Sequence, residues 1–309
     1  MIETRDLTKK YGDLYALDRL TLKLDKGDVF GFIGPNGAGK TTTIRMLATL
    51  LRPTSGSAFV GGYEITRDPE KVRAVIGYMP DSFGVYDDIK VWEYLDFFAA
   101  AYKLPREERP GVIDSVLELT DLAGKKEAYV EELSRGMKQR LCLAKTLVHD
   151  PQVLLLDEPA SGLDPRARVE IKELLKELRR MGKTILISSH ILPELADFCN
   201  KIGIIEQGEL IVSGEVGEIM RQMAGGQLYE VRLPPEDRPA ALQLLAGRSD
   251  VADAREAEGG IDVSYCGAPE EVHHLLAALV NGGARVQAFS PQRTDLEDIF
   301  LRVTRGVVS

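Results

Sequence analysis

The chain has 309 residues, of which 44% are hydrophobic and 28% charged, and a formal net charge of -9. That composition excludes a disordered chain or a fibre, and the length suits two domains that each bury a core. The acidic balance argues against a broad nucleic-acid or anionic-lipid surface, which needs a basic face.

Residues 1–33 read as strands. Leu20, Leu22 and Leu24 alternate with Thr21, Lys23 and Asp25, a period of two. Val29 to Ile33 is continuously apolar around Gly31, as a buried parallel strand is. A helix is expected from Lys40 to about Leu51, stopped near Pro53. A mostly helical stretch follows from about Lys90 to His149, with Val91, Tyr94, Leu95, Phe98 and Tyr102 at core-facing spacing. Val153–Leu156 reads as a strand, Ala167–Arg180 as a helix ended by Gly182, and Thr184–Ile187 and Ile202–Glu206 as further buried strands. Strands alternating with helices imply an α/β sheet.

The character changes near Met220–Gly226, where Gly225-Gly226 suits a linker. Beyond it we expect strand Leu228–Leu233, helix Arg238–Gly247, strand Val251–Ala257, strand Ile261–Cys266, helix Pro269–Val280 and strand Arg285–Ser290. This is a βαββαβ, ferredoxin-like order. Gly259-Gly260 suits the central hairpin. Thr294 and Glu297 suit a capping box for a last helix ending near Val303.

Cys142, Cys199 and Cys266 stand far apart with no C-x-x-C pair, and read as buried or idle thiols in a reducing compartment. Met1–Asp6 has no signal pattern, and no apolar run approaches the roughly 18 residues of a membrane helix. A cytosolic chain is expected, with any membrane role supplied by a partner.

Gly34-Pro35-Asn36-Gly37-Ala38-Gly39-Lys40-Thr41 fits G-x-x-x-x-G-K-[ST] between an expected strand and an expected helix. Glycines let backbone N–H groups converge on phosphate oxygens, and the helix points its positive end at the same place. Lys40 adds a full charge, Thr41 a hydroxyl for Mg²⁺ and Thr42 another donor. The strand Val153–Leu156 ends in Asp157 and Glu158. Asp157 is placed to hold the metal ion, and Glu158 to take a proton from attacking water or to orient it. Ser161-Gly162-Leu163-Asp164 follows, and His190 ends Ser188-Ser189-His190, where an imidazole can reach a γ phosphate. His149, His273 and His274 read as structural.

Taken together, residues 2–220 resemble the nucleotide-binding domain of the ABC ATPases. Gly34–Thr41 resembles the Walker A loop and Leu154–Glu158 the Walker B strand. Leu133-Ser134-Arg135-Gly136-Met137 resembles the family signature, Asp164 the D-loop aspartate and His190 the switch histidine. Tyr11 is similar to the aromatic residue that stacks on adenine. The resemblance implies a P-loop NTPase fold with a RecA-like core, an antiparallel β subdomain and a helical subdomain at about 85–150. It implies an ATP-binding domain over 1–220, and residues 221–309 form a small α+β accessory domain, read as dimer-stabilising or regulatory.

The resemblance also implies Mg²⁺ with ATP, catalysis by Glu158, His190 and Lys40, and a homodimer sandwiching two ATP molecules. Ser134 and Gly136 would then complete the partner's site. It implies a separate transmembrane permease, and a place on the cytoplasmic face of the membrane. Two departures stand out. Arg135 and Met137 replace the usual glycine and glutamine of the signature, as in the ABC-2-type exporter branch that includes drug-resistance ATPases. Asp81, after Gly77-Tyr78-Met79-Pro80, stands where glutamine is usual as a metal and γ-phosphate sensor. The ending Asp295–Leu301 also resembles that branch. Phe83, Val85 and Tyr86, with Trp92 and Phe97, are candidates for a groove that takes a helix of the permease. A soluble ABC ATPase acting on nucleic acid or ribosomes is the alternative. It usually carries two ATPase units, long coiled coils or zinc clusters, whereas this chain has a single Walker A loop. A non-catalytic nucleotide sensor is disfavoured by Glu158 and His190.

Overall fold

A computed structural model describes residues 1–82, 84, 88–190, 195, 198–223, 227–257 and 259–291. Strands are β1 Ile2–Tyr11, β2 Leu14–Leu24, β3 Val29–Ile33, β4 Ser55–Val60, β5 Tyr63–Glu64, β6 Ile76–Met79, β7 Val153–Asp157, β8 Thr184–Ser189, β9 Lys201–Glu206 and β10 Glu209–Glu215. Helices in the same span are α1 Lys40–Leu47, α2 Pro69–Val75, α3 Val91–Ala101, α4 Arg109–Leu119, α5 Arg135–Leu147 and α6 Pro165–Arg180. Then come α7 Val216–Met223, β11 Gln227–Arg232, α8 Arg238–Ala246, β12 Val251–Ala257, β13 Gly260–Tyr265, α9 Val272–Asn281 and β14 Ala288–Pro291. The chain divides into two compact units, Met1–Ser213 and Gly214–Ser309. The division falls within β10, at Ser213-Gly214, and β10 runs directly into α7.

The first unit holds two sheets. One has the order β10-β9-β3-β8-β7-β6, with β9, β3, β8, β7 and β6 paired in parallel. β3, β7 and β8 are buried along their whole length, which is why each carries a short apolar run at its centre. The other sheet has the order β2-β1-β4-β5 and is antiparallel. Leu17, Leu20, Leu22 and Leu24 of β2 pack with Phe30, Phe32, Ile44 and Leu47 in one core, so the second sheet sits over α1 and β3. The turn after β9 ties the two together. Gly208 N–H donates to the Ala38 carbonyl at 3.0 Å, and Asp18 N–H donates to the Gly208 carbonyl at 2.8 Å.

α3, α4 and α5 pack together as the helical part. His149, just past α5, joins it to the sheet: its Nε2 lies 2.8 Å from the Ile76 carbonyl, and its ring stacks on Tyr102 at 3.6 Å. Burial holds the His149 imidazole below its ordinary pKa, which favours the neutral ring. α1 ends earlier than the sequence suggests. Thr49 turns left-handed (φ 61°), and Leu50 and Leu51 both donate back to the Arg45 carbonyl instead of extending the helix. α6 begins two residues earlier than expected, since Asp164 caps it and Pro165 suits its first position.

The second unit forms the sheet β12-β13-β11-β14, all antiparallel. This is the strand order of a ferredoxin-like unit. Val231, Ile261, Val263 and Tyr265 meet Ala241 and Leu245 of α8 and Leu275 and Leu279 of α9 in its own core. Gly260 already pairs with Ala257, so the hairpin turn lies one residue earlier than expected, with Gly259 at φ 93°. Pro269–Glu271 is a tight 3₁₀ turn before α9 instead of its first turn, and the last strand begins at Ala288 instead of Arg285. Gly225-Gly226 and the capping box at Thr294 lie outside the described residues. Cys142 and Cys199 are buried and Cys266 is exposed; burial pushes both buried thiols up, Cys199 far more. No described helix is long and apolar enough to cross a membrane.

Asn200 fixes the start of β3. Its Oδ1 accepts from the buried Val29 N–H at 2.7 Å, and its Nδ2 donates to Asp28 at 2.9 Å. Asn200→Ala leaves Val29 N–H unpaired, so it should lower unfolding free energy by about 1–3 kcal/mol, read from urea denaturation.

Candidate functional site

The parallel register brings the ends of β3, β8 and β7 to one edge. Ile33 of β3 lies beside Ser189 of β8, and Ser188 of β8 beside Asp157 of β7. In an open α/β sheet, this carboxyl edge is where ligands bind. The loop Gly34–Gly39 leaves β3 there and enters α1. Gly39 sits at φ 109°, and a Cβ on it would come 2.5 Å from the Ala16 carbonyl of β2, so both its conformation and its packing require glycine.

Lys40 opens α1 and is buried. Its ammonium donates to the carbonyls of Gly34 and Pro35, and lies 3.5 Å from Glu158 Oε1. Burial lowers its pKa, and Glu158 beside it pulls the other way. Thr41 Oγ1 donates to Asp157 Oδ1 at 3.1 Å. Asp157 is almost fully buried, and its second oxygen, Oδ2, is buried with no hydrogen-bond partner. A buried carboxylate oxygen left unpaired is costly. A hydroxyl and a carboxylate side by side, with one oxygen unspent, form a hard-cation donor set, so the residues fit a magnesium ion.

Ser188 is the residue that sequence reasoning missed. It is fully buried, and its Oγ donates to Asp157 Oδ1 at 2.7 Å while accepting the Glu158 N–H at 3.0 Å. The signal was its place on a strand between the phosphate loop and the acidic strand. Glu158 adopts φ 50°, uncommon for a residue with a side chain, and this turn aims its carboxylate back at Lys40. Its other oxygen lies 2.8 Å from His190 Nδ1. The structure thus brings Lys40, Thr41, Asp157, Glu158 and His190 into one cluster. Thr42 follows on α1, half-buried.

Tyr11 ends β1 at the hairpin tip, 49% exposed, with Lys9 Nζ 5.0 Å from its ring. Asp81 is exposed just past β6. Among the described residues, no hydrogen bond or ion pair joins Asp81 to Thr41 or Asp157. Ser134, Gly136 and Asp164 gather elsewhere, in a cleft of about 330 Å³ lined also by Arg135, Met137, Gly162 and Ala167. Ser134 caps α5 by accepting the Met137 N–H at 3.3 Å, which leaves its own O–H to donate. Asp164 caps α6 through the Ala167 N–H at 2.9 Å, and Gly136 packs on Ala167. Among the described residues, no hydrogen bond or ion pair joins Ser134 or Asp164 to the phosphate loop. Of the apolar candidates, Phe97 is 56% exposed and Trp92 half-buried, while Phe83, Val85 and Tyr86 lie outside the described residues.

Residues 17–161 match the ABC transporter family. The linearmycin resistance ATP-binding protein of Bacillus subtilis is 33% identical, over 98% of both chains. The Nod factor export ATP-binding protein I of Burkholderia pseudomallei is 35% identical, over 98% of this chain and 96% of that one. Among solved structures, a dimeric ATP-binding cassette in a post-hydrolysis state with ADP and Pi is 26% identical. It superposes with a TM-score of 0.63 over 70% of this chain and 99% of that one.

Removing the Ser188 hydroxyl strands the Glu158 N–H and takes one of two donors from Asp157 Oδ1. Ser188→Ala should cost about 1–3 kcal/mol in denaturant unfolding, while Ser188→Thr, which keeps the hydroxyl, should cost less.

Proposed function

Since the chain belongs to the ABC transporter family and is one of its ATPases, we propose that it powers export through a separate transmembrane subunit by closing on a second copy of itself around ATP. The observation that carries this is the division of the machinery. The catalytic cluster and the Ser134–Gly136–Asp164 cleft are separate places on one chain. Two copies facing each other would set each cleft against the other's phosphate loop, where the N-terminus of α5 suits an anion.

In this reading, Gly34–Gly39 and Lys40 cradle the phosphates and Tyr11 stacks on adenine. Thr41 and Asp157 would hold Mg²⁺, which supplies neutralising charge when bound. Asp81 stays a candidate second contact. Glu158 orients the attacking water and receives its proton, and His190 holds the second carboxylate oxygen, so Glu158 keeps one orientation. The water oxygen bonds to the γ phosphorus, the bond to ADP breaks, and the loss of that phosphate releases the dimer. The named relatives serve linearmycin resistance and Nod factor export, which supports the exporter branch. The ATP-binding domain over 1–220 does the chemistry, and 221–309 is a regulatory or dimer-stabilising addition. Phe97, exposed, would line a permease-facing groove, with the chain on the cytoplasmic face of the membrane.

Glu158→Gln should lower ATP turnover by about 10²–10⁴-fold and leave an ATP-dependent dimer visible by light scattering. Incubated with detergent-solubilised host membranes, it should retain one polytopic membrane protein. Retention of ribosomes instead, with the dimer formed, would promote the soluble alternative. Phe97→Ala should keep ATP turnover and weaken that retention.

A further inference from the structure

Arg135 opens α5 beside Ser134, and its side chain turns to the loop that follows Glu158. Its Nη2 donates to the Ser161 carbonyl at 3.4 Å. The guanidinium lies so close to Gly162 that a Cβ there would come 2.1 Å from Nη2 and 2.4 Å from Cζ. Gly162 itself is left-handed, at φ 66°. One turn along α5, buried Gln139 donates Nε2–H to the Pro159 carbonyl at 2.7 Å. α5 therefore grips the segment between Glu158 and Asp164 at two carbonyls. The grip at Pro159 is short and buried, while the grip at Ser161 is longer and exposed. Ser161 N–H in turn donates to the Glu158 carbonyl at 3.0 Å. Glu158 is the residue whose backbone already sits in an uncommon conformation, so its pose depends on what holds the loop.

We propose that Arg135 is a positioning residue that couples the two ATP sites of the dimer, a role that rests on the two-chain reading above. A phosphate held by the partner docks at the N-terminus of α5, on Ser134 and Gly136. Gln139 acts as the fixed point of α5 on the loop. Arg135, next to the docked phosphate, carries its arrival into Ser161 and Gly162, and through Ser161 into the backbone of this chain's own Glu158. The glycine usual at position 135 has no group to reach Ser161. A side chain at position 162 would evict the guanidinium. Arg135 and Gly162 are thus a matched pair, one filling the space the other leaves.

The test is steady-state ATP turnover for the full chain and for Arg135→Ala, Arg135→Lys, Gly162→Ala and the Arg135→Ala/Gly162→Ala double variant. ATP-dependent dimerisation of each is measured with Glu158→Gln added. Arg135→Ala should lower kcat by about tenfold. It should bring the Hill coefficient for ATP to one, keep KM within about twofold and keep the dimer. Arg135→Lys, a cation without the planar fork, should fall between. Gly162→Ala should reproduce Arg135→Ala, and the double variant should be no worse than either. Unchanged kcat and Hill coefficient in Arg135→Ala would overturn the proposal. A raised KM with kcat kept would overturn it too, by making Arg135 a direct phosphate ligand. If the Glu158→Gln parent forms no dimer with ATP, the two-chain reading falls and the coupling falls with it.

Discussion

The site depends on the register of three buried parallel strands. With β8 between β3 and β7, Ser188 stands beside Asp157, and the strand ends carrying Gly34, Glu158 and His190 open on the same edge. The apolar runs that fill these strands secure the register, because each is buried on both faces. The cluster gathers charges at the buried ends of these strands, with His190 on the solvent side. Lys40 is nearly out of water, and its cost of burial is offset by two carbonyls and by Glu158. Asp157 spends one oxygen on two hydroxyls and keeps the other unspent.

Each motif that could be read from sequence is a contiguous run with a local physical reason. The phosphate loop needs glycines in a row, and the acidic strand end needs apolar residues followed by carboxylates. The roles of Ser188 and Gly208 could not be read that way. Ser188 acts because two strands about 30 residues apart in sequence run side by side, and Gly208 because a turn after β9 reaches Ala38 and Asp18. The left-handed turn at Glu158 was equally hidden, since no residue type announces it. The second unit was legible because its βαββαβ order and its alternating strands are local signals. The ends of α1, β13 and β14 were not, because they are set by which backbone groups find partners and not by composition.

The signature region shows how a departure from a family pattern acquires meaning only in three dimensions. Read along the chain, Arg135 and Met137 are two unusual letters. In the fold, Met137 supplies the N–H that Ser134 caps, which any residue but proline can do. Arg135 contributes a side chain that fits the space above Gly162. Met137 is neutral for the local geometry, whereas Arg135 adds a contact.

The three thiols divide by accessibility in a way that serves an experimenter. Cys142 and Cys199 are enclosed in the first unit, and burial keeps both protonated, so neither presents the thiolate that an alkylating dye attacks. Cys266 is open to solvent at the end of β13 in the second unit. The unaltered chain therefore carries its own single attachment point for a fluorophore or spin label. That label would sit on the accessory unit, far in sequence from every residue of the phosphate site, and would report that unit's response to nucleotide without any engineered cysteine.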